Sequence, residues 1–278
     1  MLLSLRDQIT VVLSPEQVML VRSKAQWTRR GLNECVLEKK SIACIADGEY
    51  AWSAALQTLQ AELGGMKPFS ARVILSNHFM HYAMVPWNEA LSNDKEAAAL
   101  ARHSFVQLYG ASADVWVLST NQDAPGAELL ACGIDPRLLA SLRAVFAGAK
   151  IRLRSVQPAL MAAYNNAKSS LRGRNGWLVL YEDGCLCLAL LQQGRCRSVR
   201  TLRVGEDWQE ALPLILEREV YLTELDVSTD DIYLWAPEQG RVSLPVGGRW
   251  HLTRMQPVIR HGLMPEYEGR YAMAMMSI

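Results

Sequence analysis

The order of the predicted strands and helices constrains this chain more than any single motif. Two regions, one starting near residue 8 and one near residue 177, each contain three short strands joined by turns and then a helix and another strand. A pattern of this length that occurs twice indicates two lobes of related plan. Strands that alternate with helices indicate a mixed α/β fold.

The first region is predicted to contain strands at 8–13, 17–21, 35–37 and 72–76 and a helix at 49–63. The second is predicted to contain strands at 177–181, 185–191, 195–202 and 232–235 and a helix at 208–223. Between them, we predict strands at 81–85, 114–119, 128–132 and 151–156 and helices at 93–110, 135–147 and 157–172.

Helix starts and turns in the middle of the chain have clear signals. Asn93 followed by Glu96 is typical of a capping box, and Asp135 before Pro136 is typical of an N-cap. The dipeptide Pro125-Gly126 predicts a turn between two strands.

Composition places the chain among globular proteins. Its 278 residues are 50% hydrophobic and 21% charged, so it can bury a large core. A net charge of +1 argues against a globally basic nucleic-acid-binding protein. No uncharged apolar stretch of about 18 residues predicts a membrane helix, and the N-terminus lacks the pattern of a signal peptide. We therefore expect the six cysteines to be reduced thiols of a cytosolic protein.

Charge is segregated along the chain although it cancels overall. Residues 150–203 carry ten Lys or Arg against two acids, and residues 204–240 carry ten Asp or Glu against one Arg. We favour the interpretation that the two segments neutralise each other within one lobe. The alternative is an electropositive face for an acidic partner or for the anionic inner membrane surface.

Motifs for catalysis or metal binding do not stand out. There is no Walker loop, no GxGxxG turn and no GxSxG elbow. His78 and His81 lie three apart in a segment predicted to be extended, which would place them on opposite faces and leave no metal site. Cys185 and Cys187 would share a strand face near Cys196, which favours buried thiols over a cluster site. No spacing supports a Cys-His nucleophile pair.

Two charged groups have structural explanations. The helix dipole accounts for the carboxylates at the start of the helix at 208, which are Glu206, Asp207 and Glu210. A nucleic-acid site is disfavoured on the third strand of the second region because no aromatic side chain accompanies its arginines, Arg195, Arg197, Arg200 and Arg203. The residues alone therefore predict no enzyme and no cofactor.

Two segments carry a resemblance to a known family. The sequence ILSNHFMHYAMVPWNEAL at 74–91 resembles a strand–turn–strand segment, ending in Val-Pro-Trp or Leu-Pro-Trp, of the GspL cytoplasmic domain and related pilus-assembly proteins. The sequence SVQPALMAAYN at 155–165 is similar to the strand-to-helix passage into their second lobe. With the repeated strand plan, the chain resembles the PilM/GspL branch of actin-like proteins over nearly its whole length.

This resemblance implies a two-lobed actin-like (ribonuclease H-like) fold with mixed sheets flanked by helices. Residues 1–155 would form the first lobe, with an inserted α/β subdomain at about 88–150, and residues 156–278 the second. The implied function is a non-catalytic scaffold of a type IV pilus or type II secretion platform, at the cytoplasmic face of the bacterial inner membrane. Implied partners are the cytoplasmic segment of an inner-membrane protein, the assembly ATPase and further copies of the chain.

The resemblance also bears on nucleotide binding. Actin-like ATPases hold the phosphates of ATP with two Asp-x-Gly turns and a lysine, and the adenosine with a Gly-Gly turn. The corresponding positions here are Val12, Ser14, Met19, Leu180, Glu182, Ala236 and Pro237. Apolar side chains offer phosphate no charge-assisted hydrogen bond, and a carboxylate repels it. We therefore predict a degenerate site, with an active actin-like ATPase or sugar kinase, or an unrelated α/β enzyme, as the alternatives.

Overall fold

The computed structural model describes residues 7–28, 31–45, 48–66, 70–86, 93–122, 128–223, 229–240, 242–245, 248–258 and 269–276. The strands are β1 (Gln8–Leu13), β2 (Gln17–Thr28), β3 (Gly31–Ala43), β4 (Ser70–Leu75), β5 (His81–Val85), β6 (Val117–Gln122), β7 (Leu129–Ile134), β8 (Arg152–Pro158), β9 (Gly176–Glu182), β10 (Cys185–Gln192), β11 (Arg195–Arg203), β12 (Asp231–Trp235) and β13 (His251–Arg254). The helices are α1 (Ser53–Leu63), α2 (Asp94–Tyr109), α3 (Pro136–Gly148), α4 (Ala159–Leu171), α5 (Trp208–Thr223) and α6 (Ala272–Met276).

Two five-stranded mixed sheets share one strand order. The first runs β3-β2-β1-β4-β8 and the second β11-β10-β9-β12-β13. In each sheet the first three strands in sequence form an antiparallel meander, and the following strands pair in parallel. The predicted repeat is therefore confirmed, because the two regions form two sheets with the same strand order. A third sheet, β5-β7-β6, is antiparallel.

Contacts divide the chain into two compact units, each assembled from separate segments. Unit 1 comprises residues 1–80, 135–166 and 257–278, and unit 2 comprises residues 81–134 and 167–256. The sequence predicted two continuous lobes divided at residue 155. This division differs from the two units, and it stays a prediction.

Unit 1 is built around a central strand that is buried on both faces. Five of the six residues of β1 are buried, so the strand is a nearly continuous apolar run as expected inside a covered sheet. Helix α6 lies against β1 and β2, and helix α1 packs against α3. Leu59 and Leu63 of α1 are fully buried, and Asp135 caps α3 by accepting a hydrogen bond from the Arg137 backbone N–H at 2.8 Å.

Unit 2 has a core built on two large aromatic side chains. Trp177 of β9 and Trp208 of α5 are both buried, and the Trp208 ring stacks on that of Tyr181 with centroids 4.3 Å apart. The small sheet β5-β7-β6 has a core of its own with α2, centred on Phe105. Asn93 begins α2 as predicted, because its side chain accepts hydrogen bonds from the backbone of Lys95 and Glu96.

Some local predictions were wrong. Residues 111–115 form a 3-10 helix, so strand β6 begins at Val117 and not at residue 114. His78 lies in a 3-10 turn at Asn77–Phe79, not in an extended segment. Strand β3 has 13 residues where three were predicted, and β13 and α6 were not predicted. Trp87, Leu91 and the turn Pro125-Gly126 lie outside the described residues.

Candidate functional site

The first predicted phosphate turn closes the β1–β2 hairpin. Val12 and Met19 are direct cross-strand partners, and both side chains are buried, at 4% and 5% exposure. Ser14 closes the turn, because its backbone N–H donates to the carbonyl of Gln17 at 3.0 Å and its hydroxyl donates to the same carbonyl at 3.1 Å. The three predicted positions, Val12, Ser14 and Met19, therefore carry neither a carboxylate nor an ammonium group.

The second predicted phosphate turn closes the β9–β10 hairpin in the same way. Leu180 pairs with Cys187, and Glu182 pairs with Cys185 across the turn Asp183-Gly184. Leu180 is fully buried. Burial, with a smaller contribution from the neighbouring Glu182 carboxylate, raises the pKa of the Cys185 thiol to about 12. The end of the β9–β10 hairpin itself therefore carries apolar and acidic side chains, and Arg203 of the neighbouring strand β11 lies opposite Cys185.

The third predicted position follows β12. Ala236 is 2% exposed and belongs to the core around Trp208, and Pro237 follows it at the surface. Proline has no backbone N–H, so this turn has one donor fewer than a Gly-Gly turn. The predicted positions at all three turns therefore carry other side chains than the resemblance requires of a nucleotide site.

The candidate metal and thiol residues have other roles. Among the described residues, no three His, Cys, Asp or Glu side chains lie close enough to hold a metal ion. His78 forms a hydrogen bond through Nδ1 with the hydroxyl of Ser76 at 2.8 Å. Cys185 and Cys187 are buried as predicted, Cys196 is half-buried, and none of the six cysteines forms a disulfide bond. Burial also raises the pKa of Cys187 well above its ordinary value.

Unit 2 contains four exposed apolar side chains that are close in sequence. These residues, which we call the 108–117 patch, are Leu108, Tyr109, Val115 and Val117, with exposed fractions of 58%, 37%, 69% and 42%. They lie at the end of α2, in the 3-10 helix that follows it and at the start of β6. A concentration of exposed large apolar residues of this kind is typical of a protein-interaction surface.

The 108–117 patch rests on a fixed framework. The Tyr109 hydroxyl donates to the Tyr82 carbonyl at 2.7 Å and accepts from the Tyr82 N–H at 3.2 Å, which holds the end of α2 against β5. The Trp116 ring stacks on His81 with centroids 4.0 Å apart. Arg102 donates to the carbonyls of Ala113 and Trp116 at 2.9 and 2.7 Å. These contacts fix the 3-10 helix and therefore the positions of the apolar side chains.

Strand β6 offers a second element of recognition next to the patch. It forms an edge of the three-stranded sheet, since its described pairing is with β7 alone. Edge strands present backbone N–H and C=O groups to which an extended peptide can add as another strand. Sequence reasoning missed this surface because Val115-Trp116-Val117 is an apolar run typical of a buried strand, and exposure is not visible in the sequence.

Two five-stranded sheets of one strand order, with the third sheet inserted after β4, are the architecture of an actin-like protein. A Bacteroides thetaiotaomicron protein described as having an actin-like ATPase fold and unknown function superposes with a TM-score of 0.54, at 13% identity over 83% of this chain and 82% of that one. The predicted fold class is thus confirmed.

Two further structures share this fold, one from a type II secretion system and one from a type IV pilus biogenesis complex. The cytoplasmic domain of EpsL, an inner-membrane component of the type II secretion system of Vibrio cholerae, matches with a TM-score of 0.57, at 10% identity over 98% of this chain and 94% of that one. A PilM–PilN type IV pilus biogenesis complex matches with a TM-score of 0.57, at 14% identity over 82% and 80%. The resemblance to the PilM/GspL branch is confirmed at the level of the fold.

No protein-family model matches the sequence of the chain, and no curated protein matches it at significant similarity. Among the described helices, none is long and apolar enough to cross a membrane.

Proposed function

We propose that this chain is a non-catalytic scaffold of a type IV pilus or type II secretion platform, at the cytoplasmic face of the bacterial inner membrane. Its actin-like fold is shared over most of the chain with EpsL and PilM. The observation that carries the proposal is the burial of Val12, Met19 and Leu180 in the two hairpins, at positions that the resemblance assigns to phosphate binding. An ATPase of this fold needs charged groups there, because phosphate binding depends on charge-assisted hydrogen bonds.

The partner in this proposal is the cytoplasmic segment of an inner-membrane protein. The PilM–PilN complex supports this assignment, since a protein of the same fold assembles there with another pilus protein. The 108–117 patch and the edge of β6 are the docking surface, because together they provide apolar anchors and unpaired backbone groups. The assembly ATPase and other copies of the chain are further partners of the same scaffold.

The first experiment is a thermal-shift titration of the purified chain with magnesium and ATP. A ligand that binds only the folded state raises its stability by an amount that grows with ligand concentration. We expect no shift with nucleotide. A concentration-dependent shift would replace the scaffold with the alternative, an active actin-like ATPase or sugar kinase.

The second experiment measures docking by fluorescence anisotropy. The probes are labelled cytoplasmic peptides from the single-span inner-membrane proteins of the source bacterium's pilus and secretion systems. We expect one peptide to bind, and the double variant L108S/V117S to weaken binding more than tenfold, because apolar anchors carry most of the energy of such interfaces. The matched control is L37S/I45S, which replaces two exposed apolar residues of unit 1. Equal loss in both variants would reject the 108–117 patch as the docking surface.

A further inference from the structure

Two adjoining turns of unit 2 carry three arginines, which we call the arginine patch. Arg172 and Arg174 flank Gly173 directly after α4, and Arg195 follows the β10–β11 turn at Gln193-Gly194. The two turns touch, since the Gly194 N–H donates to the Arg174 carbonyl at 2.6 Å. All three arginine side chains belong to exposed residues.

Close backbone contact holds the two turns together. A side chain at Gly194 would bring a Cβ within 2.5 Å of the Leu171 carbonyl oxygen, and the φ of Gly194 is +77°. The Gln193 N–H also donates to the side-chain oxygen of Asn175 at 2.8 Å. The turns are therefore locked by backbone geometry, which fixes the spacing of the three arginines.

Ion pairs do not neutralise the arginine patch within the described residues, although Arg174 and Asp231 both act electrostatically on Tyr233. None of its three arginines makes an ion pair within the described residues. Glu128 pairs with Arg197 at 3.5 Å, and Asp230 pairs with Arg249 at 3.2 Å, so these carboxylates already have cationic partners.

Among the described residues, one ion pair joins the acidic segment 204–240 to the basic segment 150–203. Glu219 of residues 204–240 pairs with Arg200 of β11 at 3.5 Å. The arginine patch has no such pair in the part of the chain that the structure describes, so the interpretation that the two charged segments neutralise each other within one lobe does not extend to it there. Three guanidinium groups on two adjoining turns therefore leave a local positive charge on a chain whose net charge is +1.

We propose that the arginine patch docks the chain on an anionic phospholipid surface, with the guanidinium groups binding lipid phosphates. Guanidinium matches phosphate in geometry and charge, and an anionic membrane attracts clustered basic residues without any apolar anchor. None of the exposed large apolar side chains of the described chain lies on these two turns. A protein partner would be expected to need such anchors, so the composition of the patch favours a lipid surface.

This inference goes beyond the proposed scaffold function and does not depend on any pilus or secretion partner. A basic residue near an anionic membrane surface strengthens partitioning by about fivefold, so three of them correspond to about a hundredfold. The interaction is electrostatic and weakens at high ionic strength, where the Debye length falls from about 10 Å to about 3 Å.

The test is vesicle flotation of the purified chain. Vesicles of phosphatidylcholine alone are compared with vesicles in which about a third of the lipid is phosphatidylglycerol, in about 0.1 M and about 1 M salt. The test variant is R172Q/R174Q/R195Q. The matched control is R143Q/R154Q/R218Q, which removes the same charge from exposed arginines that make no ion pair within the described residues. Circular dichroism and urea unfolding confirm that both variants are folded.

We expect wild type and control to float with anionic vesicles at low salt, and the test variant to lose partitioning by about a hundredfold. Equal flotation of the two variants, or no preference of wild type for anionic lipid, would overturn the proposal. A soluble polyglutamate peptide tests the alternative, that the arginine patch binds an acidic protein. If it binds in a way that requires the arginine patch while vesicles do not bind, the patch serves an acidic protein and the lipid assignment is wrong.

Discussion

The β1–β2 hairpin of unit 1 and the β9–β10 hairpin of unit 2 have the same topology and different chemistry. Each leads into a third antiparallel strand, and its first strand pairs in parallel with the strand after the next helix. Placing the two turns in register sets Val12 and Met19 against Leu180 and Cys187, and both are cross-strand pairs. The backbone plan is thus kept while every side chain of these pairs differs.

The comparison teaches where the fold is constrained. The sheet requires apolar side chains on central strands and turn residues between them, and both hairpins meet that requirement. It does not require charged groups beside the turns, which serve ligand binding only. A hairpin can therefore keep its strand order whatever side chains lie beside its turn.

The largest effect is expected in the core of unit 2. Replacing Trp177 with Ala should lower the free energy of unfolding by about 4 kcal/mol, and replacing Ile9, its counterpart in β1, by about 3 kcal/mol, because both are fully buried. Urea unfolding followed by circular dichroism measures both. W177F is the control and should cost about 1 kcal/mol, since Trp177 Nε1 is buried and has no hydrogen-bond partner among the described residues. A larger loss in I9A than in W177A would reverse the comparison.

A glycine at the start of β9 gives the next largest effect. Gly176 has a φ of +133°, and a Cβ there would lie 2.4 Å from the Asp231 carbonyl oxygen. G176A should therefore cost about 3 kcal/mol, through backbone strain and displacement of β12. Gln8 occupies the corresponding place in β1, and Q8A should change stability by less than about 0.5 kcal/mol. If G176A is as stable as Q8A in urea, the close approach of β9 and β12 is not a constraint.

The two hairpins and the contact of Gly176 with Asp231 show how far the sequence predicts the fold. Short apolar runs and turn residues such as Ser14-Pro15 and Asp183-Gly184 predicted both hairpins, because these signals are local. The close contact of Gly176 with Asp231 joins residues far apart in sequence, and no local pattern indicates it. Strand β13 and helix α6 have four and five residues, too few for a periodicity to appear.

The candidate site was less predictable than the fold. The resemblance assigned the candidate nucleotide-binding positions to the two hairpins and to the turn after β12. The 108–117 patch was not predicted, because an apolar run gives the same sequence signal whether it is buried or exposed. Strand β3 was predicted to be short since its polar residues, such as Lys39 and Lys40, weaken the strand pattern on an edge that faces solvent.

Alkaline pH should distinguish the two hairpins. The unfolded Cys185 thiol has a pKa near 9, and burial raises the folded pKa to about 12. The native state keeps a proton that the unfolded state loses, so stability is full below pH 9 and is lost as the pH rises towards 12. The loss is about 1.4 kcal/mol per pH unit for this thiol. At the corresponding positions of the first hairpin, Gln17 and Met19 do not titrate.

The measurement is the urea midpoint of wild type and C185A from about pH 8 to about pH 10.5. Wild type should lose stability more steeply than C185A across this range. Burial also raises the pKa of Cys187, so this thiol adds a loss of stability at alkaline pH that is present in both proteins. The stability of C185A at the lowest pH gives its baseline, since removing the side chain leaves a small cavity. Parallel slopes in the two proteins would show that the thiol is open to solvent.

The smallest effects concern the helix caps, one in each unit. N93A should cost about 1 kcal/mol at neutral pH, because the backbone N–H groups at the start of α2 lose their acceptor. D135A should cost more, since Asp135 caps α3 and also pairs with Arg137, whose guanidinium lies 4.5 Å from the centre of the Tyr50 ring.

Acid separates the two parts of the Asp135 contribution. The hydrogen bond from Arg137 lowers the pKa of Asp135, so the ionic part is present above the ordinary value of 3.8 and is lost as the pH falls through the folded pKa. The excess of D135A over N93A should therefore shrink in acid while the cost of N93A persists. An excess that persists in urea unfolding at low pH would mean that packing of Arg137 on Tyr50, and not the carboxylate charge, distinguishes the cap of unit 1 from that of unit 2.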